Sequence, residues 1–123
     1  MLSPVAYGLA VVLALFVAFI GARFLLVPKA AAAGYGVPAK RDGDAAYLEV
    51  KGLRDLTFGL LGLALLAFAD AGAAGWYMLV VAVAPLGDTL IVLRHGGTKA
   101  TAFGIHFATA VVVLISAALL FAV

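Results

Sequence analysis

The chain contains no cysteine, no asparagine and no glutamine. Without cysteine there are no disulfides, no thiolate metal sites and no thiol nucleophile. Without asparagine there is no N-glycosylation acceptor, and without either amide a common bidentate reader of DNA bases is missing. Charge is scarce as well. Asp, Glu, Lys and Arg make up 11% of the 123 residues, and the formal net charge is +2. A soluble domain carries roughly 25% charged residues. Nucleic acid is therefore not an expected partner. Hydrophobic residues, by contrast, account for 67% of the chain, and the mean hydropathy is +1.23. A small soluble domain still exposes roughly 40% of its chain surface, too much for this composition. The expected solvent is a lipid bilayer.

A membrane span needs about 20 mostly apolar residues. Val5 to Ala22 is free of charge, and the run continues past Arg23 to Val27 before Pro28 stops it. Ala100 to Val123 is apolar apart from Thr101, His106, Thr109 and Ser116. Leu56 to Ala69 is charge-free but covers only about 21 Å at 1.5 Å per residue. That helix must start earlier and carry Asp55, Arg54 and Lys51 with it, with Asp42 and Asp44 as natural N-caps. Ala71 to Gly87 extends through Asp88 to Leu93, and Pro85 inside it leaves the Val81 carbonyl without its donor and bends the helix. The expected architecture is all-α: one transmembrane domain over residues 1–123 with four spans in an antiparallel bundle, at about 5–27, 45–69, 74–93 and 100–122. The connectors are a polar loop over 28–44, a tight turn from Asp70 to Gly75, and a short loop of Arg94, His95, Gly96 and Gly97. A signal peptide cleaved after Ala30 to Ala33 fits poorly, because no basic segment precedes the apolar run and the run is too long.

All eight basic residues flank the first and third connectors. By the positive-inside rule these connectors are cytoplasmic and both termini extracytoplasmic, in the cell membrane. Tyr7, Trp76 and Tyr77 then belong to an outer aromatic belt and Tyr47 to an inner one.

Small residues mark packing faces, since helices in lipid associate by close approach. Ala10, Ala14, Ala18 and Ala22 form one stripe; Gly52, Gly59 and Gly62 form another, which also carries Asp55. Gly104 and Ala108 offer a third, beside a line of His106, Thr109 and Ser116. Counting from the helix ends, Arg23, Asp55, Asp88 and His106 all fall roughly 6–9 Å below the cytoplasmic boundary, with Glu49, Lys51 and Arg54 at or above that level. Intramembrane ionisable groups mark sites by default. Asp55, Asp88 and His106 are the candidate catalytic groups, because a carboxylate and an imidazole together can move protons. Arg23, Glu49, Arg54 and Thr109 are the candidate ligand-binding residues.

Each has a structural reading too. Arg23 and Lys51 are long enough to snorkel. Glu49 and Arg54 can be solvated near a helix start or form an ion pair. Asp55 can pair with Lys51 or with an arginine, Arg54 or Arg23 foremost. Asp88 has no local basic partner except the loop residues. His106 can bond a backbone carbonyl or Thr109. The loop from Arg94 to Lys99 is either a positive-inside turn or a phosphate contact. Two carboxylates and one or two histidines make a divalent metal a weak option, since no metal-ligand motif is present, and the residues do not specify a cofactor.

The stretch from Tyr47 to Leu56, with its Lys-Gly-x-Arg-Asp core at Lys51 to Asp55, resembles the signature of a family of small four-helix integral membrane proteins catalogued as a domain of unknown function. The Gly-Tyr-Gly-Val-Pro segment at Gly34 to Pro38 and the chain length fit the same family. The resemblance implies a four-helix membrane fold and supplies no activity. From the residues themselves, the foremost functional expectation is a polar pocket in the cytoplasmic half that binds a lipophilic small molecule and transforms it by acid–base isomerisation or hydrolysis. The alternative is a non-catalytic membrane subunit whose charges fix helix packing. A homo-oligomer is compatible with either. Transport ranks third, because the outer half carries no ionisable groups.

Overall fold

The computed structural model describes residues 1–40 and 44–123. Its elements are α1 (Leu2–Leu26), α2 (Pro28–Tyr35), α3 (Ala45–Phe68), α4 (Ala71–Val81), α5 (Val83–Arg94), a short α6 (Lys99–Thr101), a π-helical segment (Ala102–Phe107) and α7 (Ala108–Phe121). There is no strand among the described residues. Three helical stretches among them are long and apolar enough to cross a membrane: α1, Ala71–Arg94 and Lys99–Phe121. The chain is thus a multi-pass membrane protein. α3 matches them in length at 24 residues, but Glu49, Lys51, Arg54 and Asp55 occupy its first half.

The distribution of side chains is that of a protein solvated by lipid. Large apolar residues face out: Val12, Phe19, Val80 and Leu90 are 61–65% exposed. Small ones face in, among them Ala6, Ala10, Ala14, Ala74, Ala110 and Ala117. The closest approach is between α1 and α3. A Cβ on Gly21 would lie 2.3 Å from Leu56 N, one on Gly52 2.7 Å from Gly21 O, and one on Gly59 2.7 Å from Ala14 O. Rising numbers on α1 meet falling numbers on α3, so the two helices run antiparallel. Gly21 was not part of the expected alanine stripe, yet it is the tightest point.

At the other end of α1, Ala6 and Ala10 join Ala74, Met78, Ala82, Val113, Ala117 and Leu120 in one core. Phe121 packs its ring on Gly75 and meets Trp76 edge-on at 5.3 Å. α5 packs against the π-helical segment, so α4–α5 and α7 also run in opposite directions. The two basic connectors come together, since Gly97 lies against the Gly36 carbonyl.

Several expectations need correction. The first connector is not all loop. Pro28 opens α2 at its first position, an alanine tract fills it, and Gly36 ends it at φ 102°, the left-handed cap that glycine favours. The second connector is shorter than expected, because α4 begins at Ala71 with the Asp70 carboxylate accepting from the Ala73 N–H at 2.7 Å. Tyr77 is not a belt residue: its hydroxyl donates to the Phe58 carbonyl and ties α4 to α3. Gly104 and Ala108 are exposed, and the buried face of that stretch is Ala102, His106, Ala110, Val113 and Ala117. Asp44 precedes α3 but makes no side-chain cap; its carboxylate accepts from the Lys40 N–H at 2.8 Å. The other proposed cap, Asp42, lies outside the described residues. The helix bearing Pro85 does break, at Ala82 between α4 and α5.

Candidate functional site

Where α1 and α3 diverge from α5 and the π-helical segment, a cavity of about 290 Å³ remains. Its wall is mostly apolar and includes Leu13, Phe16, Val17, Phe58, Val81 and Val113. Asp55, Asp88, His106, Arg23 and Thr109 line the same cavity. The stripe of Tyr77, Val81, Ala84 and Asp88, which the sequence left free to face either way, also lines it.

α2 supplies the residue that joins these groups. Its last residue, Tyr35, reaches in between α1, α5 and the π-helical segment and donates its hydroxyl to Asp88 Oδ2. The Tyr35 backbone carbonyl takes a hydrogen bond from His106 Nε2 at 2.6 Å. The two rings lie 4.2 Å apart between centroids, and Phe24 meets Tyr35 edge-on at 5.5 Å. Burial, then the Asp88 carboxylate, pushes the Tyr35 phenol above its usual range, so it stays a donor at physiological pH. A carbonyl can only accept, so Nε2 carries a proton, and in the neutral ring the free lone pair is then on Nδ1. His106 is 3% exposed. It sits in the π-helical segment, and such insertions occur frequently at functional sites.

Asp55 is held differently. Lys51, one turn back on α3, places Nζ 2.6 Å from Asp55 Oδ2. The expected partners, Arg54 and Arg23, do not take that role. Lys51 does not snorkel either: Nζ lies 4.2 Å from the ring centroids of both Phe24 and Tyr35. The pair, the two rings, Asp88 and His106 therefore form one connected group.

The remaining candidates divide. Arg23 is exposed and lies on the cavity wall. Thr109 also lines it, but its hydroxyl donates to the Ile105 carbonyl at 2.6 Å. Glu49 and Arg54 are exposed and absent from the cavity wall. Arg54 borders a shallow depression on the outer face of α3 with Val50 and Thr57. The hundred-degree step of an α-helix separates them from the inward line of Lys51, Gly52 and Asp55. Among the described residues no group of three or more metal-ligating side chains is assembled. Tyr35 is the residue that sequence reasoning missed. The available signal was a proline-to-glycine frame, Pro28 to Gly36, which turns an apparent loop into a helix with Tyr35 at its end.

The model of a family described as a domain of unknown function (DUF4267) matches residues 14–120. The chain belongs to this family. The resemblance carried by Lys51 to Asp55 and Gly34 to Pro38 is thereby borne out. No curated protein and no solved structure matches the chain.

Proposed function

We propose that the chain is a cell-membrane protein in which α1, α3, α4–α5 and the stretch from α6 to α7 form a four-span antiparallel bundle that binds a lipophilic small molecule in its polar half. The observation that carries this reading is the single cavity on which Asp55, Asp88 and the buried His106 meet an otherwise apolar wall. Apolar walls with a few convergent polar groups are the usual form of small-molecule sites. The molecule's apolar body would lie along Leu13, Val17, Phe58 and Val81, and its polar end would meet Asp88, Tyr35 and His106. The basic connectors meet at one end, which supports a cytoplasmic placement of that end and extracytoplasmic termini.

The geometry favours binding over turnover. Asp55 is engaged by Lys51 and Asp88 by Tyr35, so the expected acid–base pair of an aspartate and His106 has to work through Tyr35. The subunit reading is supported by one specific feature, the local Lys51–Asp55 pair, which neutralises a buried charge without any ligand. Mass spectrometry of lipophilic compounds co-purified in mild detergent separates the two. A defined compound, enriched over the bulk lipid extract and lost in a Val81→Trp variant that fills the cavity, is expected. Lipid of bulk composition in both preparations would leave the subunit reading.

A further inference from the structure

We propose that the occupant of this cavity is a lipophilic ammonium ion, with Asp88 as its counter-ion. The inference rests on the binding reading above and adds the charge of the ligand. Asp55 and Asp88 both line the cavity, but among the described residues only Asp55 has an ion-pair partner, Lys51 Nζ at 2.6 Å. Asp88 receives the Tyr35 hydroxyl, a neutral donor. Among the described residues no lysine or arginine comes within ion-pair distance of it. An ionised carboxylate offers about four acceptor positions, so room remains on Asp88 for an N–H donor. A carboxylate at membrane depth without a protein cation is costly, and acting as a ligand's counter-ion is one of the uses that offsets the cost.

The wall supports the same charge. Phe16, Phe19, Phe24, Phe58, Tyr35 and Tyr77 all border the cavity. Ring faces attract a cation within about 6 Å of their centroids. Lys51 is not on the wall, but its ammonium stands 4.2 Å from the ring centroids of Phe24 and Tyr35, so two of these rings already carry a cation and Phe16, Phe19, Phe58 and Tyr77 are left for a ligand. His106 spends its Nε2 proton on the Tyr35 carbonyl. Among the described residues the cation on the wall is Arg23, which is exposed and long enough to keep its head in water or among headgroups.

The test uses the full chain in dodecyl maltoside and three probes matched in size: phenylbutylamine, phenylbutanol and phenylbutanoate. Binding is measured by equilibrium dialysis at neutral pH, with uptake by empty micelles subtracted. The amine is expected to bind about tenfold more tightly than the alcohol, as hydrogen bonds to charged groups provide. Asp88→Asn should abolish that preference, and Arg54→Ala, on the exposed face of α3 away from the cavity wall, should preserve it. If Asp88→Asn does not fold, the ranking on the wild-type chain decides alone. Equal binding of amine and alcohol would overturn the ammonium assignment while leaving the cavity reading in place. Preference for the carboxylate, lost in Arg23→Ala, would overturn it in favour of an anion. Failure of all three probes to bind would overturn the cavity reading itself.

Discussion

The α1–α3 contact offers the sharpest test of the packing. In Gly21→Ala the new methyl carbon would stand 2.3 Å from Leu56 N, 2.5 Å from Gly52 O and 2.9 Å from Leu56 Cα. All three are backbone atoms, so no rotamer change relieves the clash. Ordinary contact begins at 3.4 Å, which requires the helices to part locally by about 1 Å, enough to forfeit much of the dispersion attraction along the seam. Overpacking by one carbon costs about 1–3 kcal/mol, and the rigid partner puts this case at the upper end. The same substitution raises helix propensity by about 1 kcal/mol, so the net loss is about 2 kcal/mol. Gly8→Ala is the matched control on the same helix, because nothing lies within 4 Å of its Cβ position; it should be neutral or slightly stabilising. Both variants can be followed in detergent by the temperature at which the monodisperse peak is lost on size exclusion. Gly21→Ala should fall by several degrees and Gly8→Ala should not. Equal behaviour of the two would refute the close approach of α1 and α3.

Other consequences are equally concrete. Tyr35→Phe removes the donor to Asp88 but keeps the carbonyl that His106 uses, so a loss of about 1–3 kcal/mol is expected, read in the same thermal assay. Asp55→Ala strands Lys51 between two rings and should cost more than Lys51→Met/Asp55→Leu, which removes both charges; a double variant no better than the single would show the pair to be solvent-screened. Arg54→Ala and Glu49→Ala sit on the exposed face and should change stability by no more than about 0.5 kcal/mol. A reporter fused to the C-terminus should read extracytoplasmic and one inserted after Lys40 cytoplasmic; reversed signals would invert the proposed placement of the polar half.

The long elements were legible because their causes are local. An apolar run closed by Pro28, one opened at Asp70 and one opened at Thr98 define their own ends, and the observed bounds fall within a few residues of those read from the sequence. Inward and outward faces were legible where glycines mark them, as on α3, whose buried residues are Gly52, Gly59 and Gly62. Gly104 misled for the same reason: a small residue is compatible with a close neighbour but does not require one. The π-helical segment left no periodic signal, since it breaks the period on which such reading depends.

The site was legible only in part, and the division follows sequence distance. Asp55, Asp88 and His106 could be placed at a common depth by counting turns from helix ends, because rise per residue is fixed. Depth says nothing about azimuth, and azimuth separated Arg54 from Asp55. The partners of these groups came from a segment that depth counting omits. Tyr35 lies 53 residues from Asp88 and 71 from His106, in the short helix α2 between α1 and α3. The two segments that carry the family resemblance meet in space: Tyr35 of one lies under the ammonium of Lys51 in the other. Of the Lys-Gly-x-Arg-Asp core, Lys51, Gly52 and Asp55 face inward while Leu53 and Arg54 are exposed. Gly52 sets the distance between α1 and α3, and that distance sets where Lys51 and Asp55 stand relative to Phe24 and Tyr35. The core therefore joins two requirements, close helix packing and a fixed charge beside the cavity, within little more than one helical turn.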